Sequence, residues 1–138
     1  YRPRSVHGMI RGKNDSEDTF TETLAGQLHE ALDDGTALDI RTLDVRKMTI
    51  ITDFMVIASG RSNRKVRALL KRVLEEARAV GAKVLGIEGD RQGEWVLVDL
   101  GGVVIHIMQP QVREFYQLEK LWDVRATAKL SQAFSGQA

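Results

Sequence analysis

The stretch Trp95-Val96-Leu97-Val98-Asp99-Leu100-Gly101-Gly102-Val103-Val104-Ile105-His106-Ile107-Met108 decides the fold. Two β-rich runs, Glu94 to Leu100 and Val103 to Gln109, are separated only by Gly101 and Gly102, the residues that a two-residue primed turn requires. A turn of that length fixes the register of the hairpin. Leu100 faces Val103, Val98 faces Ile105 and Val96 faces Ile107, so one face is purely aliphatic and belongs to the core. The other face pairs Asp99 with Val104, Leu97 with His106 and Trp95 with Met108. Two arrangements suit that mixture. Either the face is open and serves as a docking surface, or it lies under a helix with Trp95, Leu97 and Met108 in the core and His106 a satisfied core histidine. Exposure of Trp95 separates them. An open tryptophan ringed by polar groups is the usual form of an interaction hot spot, worth ~2 kcal/mol or more on truncation.

Working upstream, Lys83 to Ile87 reads as a short strand. Before it, Val66, Leu69, Leu70, Val73, Leu74, Ala77 and Val80 fall on one face of a helix, with Ser62 as its N-cap and Gly81 as its stop. Phe54 to Ala58 is a continuous apolar run of the kind found in a central strand covered on both faces. Strand, helix and strand in this order predict a right-handed crossover and parallel pairing of Phe54 to Ala58 with Val84 to Ile87. Arg46 to Asp53 shows no period, and Leu38 to Val45 alternates imperfectly as a further strand. The first helix is expected over Phe20 to Asp34, with Phe20, Leu24, Leu28 and Leu32 as its apolar stripe and Ala25 and Ala31 flanking it. Thr19 and Glu22 have capping-box spacing, and Gly35 can end the helix. Downstream, Pro110 fits the first position of a closing helix through Trp122. Residues 1–17 are expected to be a disordered or vector-derived segment, Tyr1 to Gly8 in particular reading as vector sequence. Residues 123–138 are expected to be a flexible tail. The fold class is α/β: one compact domain, 18–122, with a mixed sheet of about five strands and flanking helices.

Composition narrows the function classes. The 138 residues are 43% hydrophobic and 28% charged, ordinary for a chain that folds alone. A formal net charge of +1 supplies no global field toward nucleic acid or membrane, so partners must be recognised by a patch. The absence of cysteine excludes disulfides, thiolate metal sites and cysteine nucleophiles, and fits a reducing compartment, with cytoplasm as the expectation. No apolar stretch approaches the ~20 residues of a membrane helix, and no signal segment opens the chain.

Catalytic readings are weak. Asp99 and His106 lie on neighbouring strands, but no motif ties a nucleophile to them. Ser59, Gly60, Arg61, Ser62 and Asn63 form a strand-to-helix turn that could hold a phosphate, yet the segment lacks P-loop and dinucleotide-fold spacing, and capping explains Ser62. The long helix carries Arg61, Arg64, Lys65, Arg67, Lys71, Arg72 and Arg78. Arg64, Arg67 and Lys71 are its candidates for contact with RNA phosphates, against the plainer reading of a solvated face offset by Glu75 and Glu76. His29 lies off the apolar stripe of its helix and has no partner at metal-ligand spacing.

The chain resembles the Iojap-like ribosomal silencing factors over roughly Leu24 to Trp122. The resemblance rests on Leu43-Asp44-Val45-Arg46, Thr52-Asp53-Phe54, Ile57-Ala58-Ser59-Gly60, Ser62-Asn63-Arg64, Val66-Arg67-Ala68 and Val84-Leu85-Gly86-Ile87-Glu88-Gly89. It continues through the hairpin and Arg113-Glu114-Phe115-Tyr116-Gln117-Leu118-Glu119-Lys120-Leu121-Trp122. The resemblance implies a nucleotidyltransferase-like fold without catalytic residues, with no metal and no cofactor. Those enzymes hold metal with carboxylates alternating along a strand, whereas Asp99 has Leu97 and Gly101 two places away. It further implies binding to the large ribosomal subunit through its universal protein number fourteen, and obstruction of small-subunit joining. By motif position the docking residues would be Trp95, Leu97, Asp99, Met108, Tyr116, Glu119 and Lys120, with Trp95 as anchor and the charges setting orientation. The same patch is a candidate for homodimerisation in the free protein. Gly102 departs from relatives, which often carry aspartate after the turn glycine. The competing function is a nucleotide-handling enzyme using the Ser59 to Asn63 loop.

Overall fold

The computed structural model describes residues 15–121. The expectations for Tyr1 to Gly8, for Trp122 and for residues 123–138 lie outside them. The elements run α1 (Asp15–Asp34), β1 (Leu38–Asp44), β2 (Phe54–Ser59), α2 (Asn63–Ala79), β3 (Gly86–Glu88), β4 (Trp95–Asp99), β5 (Val103–Met108), α3 (Pro110–Tyr116) and α4 (Leu118–Leu121). Among the described residues no helix is long and apolar enough to cross a membrane.

The hairpin forms in the expected register. Trp95 pairs with Met108, Val96 with Ile107, Leu97 with His106, Val98 with Ile105 and Asp99 with Val104. The Leu100 amide donates to the Val103 carbonyl at 2.9 Å and closes the ladder. Of the two turn glycines only Gly101 has a left-handed backbone, with φ of 83°. Gly102 therefore needs no glycine on conformational grounds.

The five strands are ordered β1-β2-β5-β4-β3. All six residues of β2 are buried, as a central strand requires. The expected pairing of β2 with β3 is not made. β5 takes that side of β2 in a parallel register running from Phe54 with Val103 to Ser59 with Met108. β3 instead pairs antiparallel with β4 at the sheet edge. The reason is length: β5 gives β2 a six-residue apolar partner, whereas β3 has three residues and Val84 and Leu85 lie outside it. β3 does run parallel to β2, since one parallel and two antiparallel pairings connect them, but two hairpin strands lie between them.

Helices α1 and α2 cover the aliphatic face. Leu24, Leu28 and Leu32 of α1 and Val66, Leu69, Val73 and Ala77 of α2 pack with Val56, Val96, Val98, Ile105 and Ile107 in one cluster. Ser62 caps α2 as expected, its Oγ accepting from the Lys65 amide at 3.0 Å. Gly81, with φ of 76°, ends that helix through bonds from the Ala82 amide to the Ala77 carbonyl and from the Gly81 amide to the Arg78 carbonyl, the paired C-terminal pattern that a left-handed residue permits.

Helix α1 departs from expectation at both ends. It begins at Asp15, so Thr19 lies inside it rather than at its cap, and residues 15–17 are helical. Phe20, placed at the head of the stripe, is 49% exposed, and Thr21 takes the buried position instead. At the other end Thr36, not Gly35, is the left-handed residue, with φ of 61°. Its amide donates to Asp33 and the Ala37 amide to Leu32, the same terminating pattern. Gly35 lies close to α2, where a Cβ would meet the Leu69 side chain at 3.0 Å, tighter than ordinary packing. Lys65 Nζ then donates to the Gly35 carbonyl and Thr36 Oγ1 at 2.6 Å each, which anchors α2 to the end of α1 and satisfies a carbonyl that the helix leaves open.

The opposite face carries a smaller cluster of Val45, Met55, Ile57 and Met108, packed with Leu43, Trp95, Val112 and Leu118. The closing helix that covers it is not continuous. Gln117 adopts a left-handed conformation with φ of 48°, which breaks the expected span into α3 and α4.

Candidate functional site: a tryptophan held at the edge of a half-covered sheet face

The second face of the hairpin is divided between the two arrangements that its composition allowed. Helices α3 and α4 lie over one part, where Val112 and Leu118 pack with fully buried Met108 (0% exposed), and His106 is nearly buried too (5%). Trp95, Leu97, Asp99 and Val104 keep intermediate exposure. Met108 is thus a correction to the expected docking set: it belongs to the small core beneath Trp95 and presents no surface.

Cross-strand geometry explains how Trp95 is held. Because Leu97 lies opposite His106 and Trp95 opposite Met108, His106 is the diagonal neighbour of Trp95, within reach of an aromatic side chain. The indole Nε1 donates to His106 Nδ1 at 2.9 Å. An indole can only donate, so this ring nitrogen must be unprotonated. Burial pushes the His106 pKa down to about 4, which keeps the ring neutral at neutral pH. From the other side Tyr116 packs on the indole with ring centroids 5.0 Å apart and planes at 49°. Phe115 meets Tyr116 edge-on at 4.9 Å. Tyr116 is 56% exposed and Phe115 80%. Phe115 was absent from the expected set, although adjacent aromatics on a helix as short as α3 cannot both point inward, and that was the available signal.

A buried arginine fixes the frame. Arg113 donates through Nη1 to Ser59 Oγ at 3.0 Å, and through Nε and Nη2 to the two carboxylate oxygens of Glu119 at 3.0 and 2.9 Å. This fork ties the end of β2 to α4 across the break at Gln117. The hydrogen bonds from Arg113 hold the Glu119 carboxyl below its ordinary range against the opposing effect of burial. Glu119 therefore acts first inside the fold, with both oxygens engaged. Lys120 and Leu121 are exposed beside it. Asp99 also has an internal task, since its Oδ1 accepts from the Gly101 amide at 2.8 Å and holds the turn.

The competing sites are built differently from what their chemistry would need. In the Ser59 to Asn63 loop, Ser59 Oγ accepts from Arg113, the Gly60 amide donates to the Met108 carbonyl, Ser62 caps α2, and Asn63 Oδ1 accepts from Gln109. Those groups serve the fold rather than a phosphate. His106 turns Nδ1 to the Trp95 indole rather than to a carboxylate, and His29 Nδ1 lies 2.9 Å from Thr42 Oγ1. Among the described residues no group of three or more His, Asp or Glu could hold a metal ion. On the basic helix, Arg67 donates to the carbonyls of Asp90 and Arg91 and braces the loop before β4. Arg72 bonds the Ala31 carbonyl and Asp34, while Arg64 and Lys71 are exposed.

Comparison with known proteins agrees with this architecture. A family model described as Ribosomal silencing factor during starvation matches residues 17–137, reaching past both ends of the resembling segment. The ribosomal silencing factor of Chromobacterium violaceum is 46% identical over 93 residues, covering 67% of this chain and 76% of that one. A crystal structure of a Chromobacterium violaceum protein superposes with a TM-score of 0.72 at 42% identity, covering 73% of this chain and 84% of the other. The mouse protein called Mitochondrial assembly of ribosomal large subunit protein 1 is 38% identical over 93 residues, covering 65% of this chain and 41% of its own length. With the fold, the hairpin and the matched family in agreement, the chain belongs to the ribosomal silencing factor family.

Proposed function

We propose that this protein represses translation without catalysing a reaction, by docking the Trp95 patch on the large ribosomal subunit at its universal protein number fourteen and so blocking the small subunit sterically. The single observation that carries the reading is the state of Trp95: a partly exposed indole whose Nε1 donates to His106 and which packs against exposed Tyr116. A large aromatic held in one orientation at an open edge loses little conformational freedom on binding, which is what an anchor residue requires. The proposed surface adds Leu97 and Asp99 from the same face of β4, Tyr116 packed on the indole and exposed Lys120 of α4, with Phe115 extending the apolar rim. Family membership and the large-subunit name of the mouse relative support the choice of partner. The reading places the protein in the cytoplasm, where subunits join.

Sedimentation through a gradient with isolated large subunits tests it. The wild type is expected to co-migrate and to suppress re-association with small subunits. Trp95→Ala is expected to weaken binding by about 2 kcal/mol, roughly thirtyfold. A wild type that stays at the top of the gradient refutes the reading; a variant that binds as well as wild type refutes the site.

A further inference from the structure

We propose that His106 is a positioning residue for the docking surface: it touches no partner, and acts by holding the Trp95 indole in the orientation that docking uses. This rests on the docking reading above and adds a second layer to it. Three observations point the same way. His106 lies on β5, the strand that runs between β2 and β4 in the sheet, so its backbone is among the most constrained in the molecule. The residue is 5% exposed, beneath the patch rather than in it. Its Nδ1 receives the only N–H that the Trp95 side chain possesses, at 2.9 Å.

The alternative role, plain packing, does not account for the choice of side chain. A leucine or phenylalanine would fill the volume and avoid the cost of placing an imidazole where water is excluded. What the imidazole adds is a directional acceptor. A tryptophan side chain has two rotatable bonds, and packing against Tyr116 at 49° restricts the ring plane without fixing which edge faces inward. The bond to Nδ1 fixes the edge. The indole then shows the partner its carbocyclic face, while its polar edge is already satisfied and needs no donor or acceptor from the partner. If the docking orientation falls to a tenth of the population when the bond is lost, apparent affinity falls about tenfold with no contact removed.

Two substitutions separate positioning from packing. His106→Phe keeps a ring of similar size and removes the acceptor; His106→Asn loses ring volume but keeps an acceptor, Oδ1, close to where Nδ1 stood. Exchange of the Trp95 indole N–H with solvent is followed by NMR, its resonance assigned by its absence in Trp95→Phe, and binding to isolated large subunits is measured in parallel. Positioning predicts indole exchange about tenfold faster and binding about tenfold weaker in His106→Phe, with both at least partly restored in His106→Asn. If His106→Phe leaves indole exchange unchanged, or if His106→Asn is the worse variant on both readouts, the inference is wrong. The exchange measurement needs no ribosome, so failure of the wild type to bind large subunits overturns the docking reading and leaves the hydrogen-bond assignment to be judged by exchange alone.

Discussion

Acidification probes the buried imidazole directly. His106 is lowered from 6.5 to about 4 by burial, and its Nδ1 must stay unprotonated to accept from Trp95. Between those two pH values the unfolded chain binds a proton at this site and the folded chain does not. Folding stability therefore falls as the pH is lowered, beginning near 6.5 and levelling off below about 4. At 1.36 kcal/mol per unit the displacement amounts to about 3 kcal/mol at most, reached at a slope of no more than about 1.4 kcal/mol per pH unit. The carboxylates that are lowered, Glu119 and Asp44, act in the same direction but at lower pH. Their contributions are complete above the ordinary carboxylate values of 4.5 and 3.8 and are lost only as the pH drops through their lower folded values. The assay is urea unfolding of wild type and His106→Asn at intervals from pH 7 to pH 4.5. Subtracting one series from the other cancels carboxylate effects and isolates the histidine. The wild type is expected to lose about 2 to 3 kcal/mol relative to the variant across that range. A difference that stays constant with pH would mean that His106 takes up its proton in the folded state as readily as in the unfolded one, and the reasoning about its burial and its bond to Trp95 would be refuted.

Two further outcomes follow from other parts of the molecule. Arg113→Met removes the fork that links Ser59 to Glu119, and is expected to cost about 2 kcal/mol of stability with faster amide exchange over 117–121; unchanged exchange there would show that α4 is held by Val112 and Leu118 packing alone. Exposed Arg64 and Lys71 are proposed to meet ribosomal RNA, so replacing both with glutamine is expected to reduce the salt dependence of large-subunit binding by a slope of about 1.5, whereas an unaltered slope would leave them as solvated surface.

The hairpin was legible because a two-residue turn leaves no freedom of register, and each pair read from Trp95 to Leu100 is present. Helix α2 was legible because its apolar residues repeat at helical spacing and Ser62 and Gly81 carry local chemistry. What stayed hidden depends on long-range choices. Nothing local in Val84 to Ile87 shows that β5 would displace it from β2. Nothing in Gln117 announces a left-handed break, since glutamine has no special preference for that region. Within the site, Trp95 was legible as an aromatic on a mixed face and burial of Met108 was one of the two arrangements read from it, but the choice between them and the engagement of Glu119 were not. Both depend on α3 and α4 folding back over half of that face, with Arg113 as the tie.

The alternation of β4 has a consequence for how the protein can vary. Val96 and Val98 sit in the main core, and Trp95, Leu97 and Asp99 point the other way. One five-residue strand thus carries two sets of positions that answer to different demands. Changes to the first set are felt through the whole packed layer beneath α1 and α2. Changes to the second fall on the partly exposed face, where the proposed docking would feel them first, although Asp99 also holds the turn and Trp95 also packs on the smaller cluster. Under the proposed docking, a recognition surface laid out on alternate residues of a strand could be retuned one side chain at a time, without the scaffold having to be rebuilt around each change.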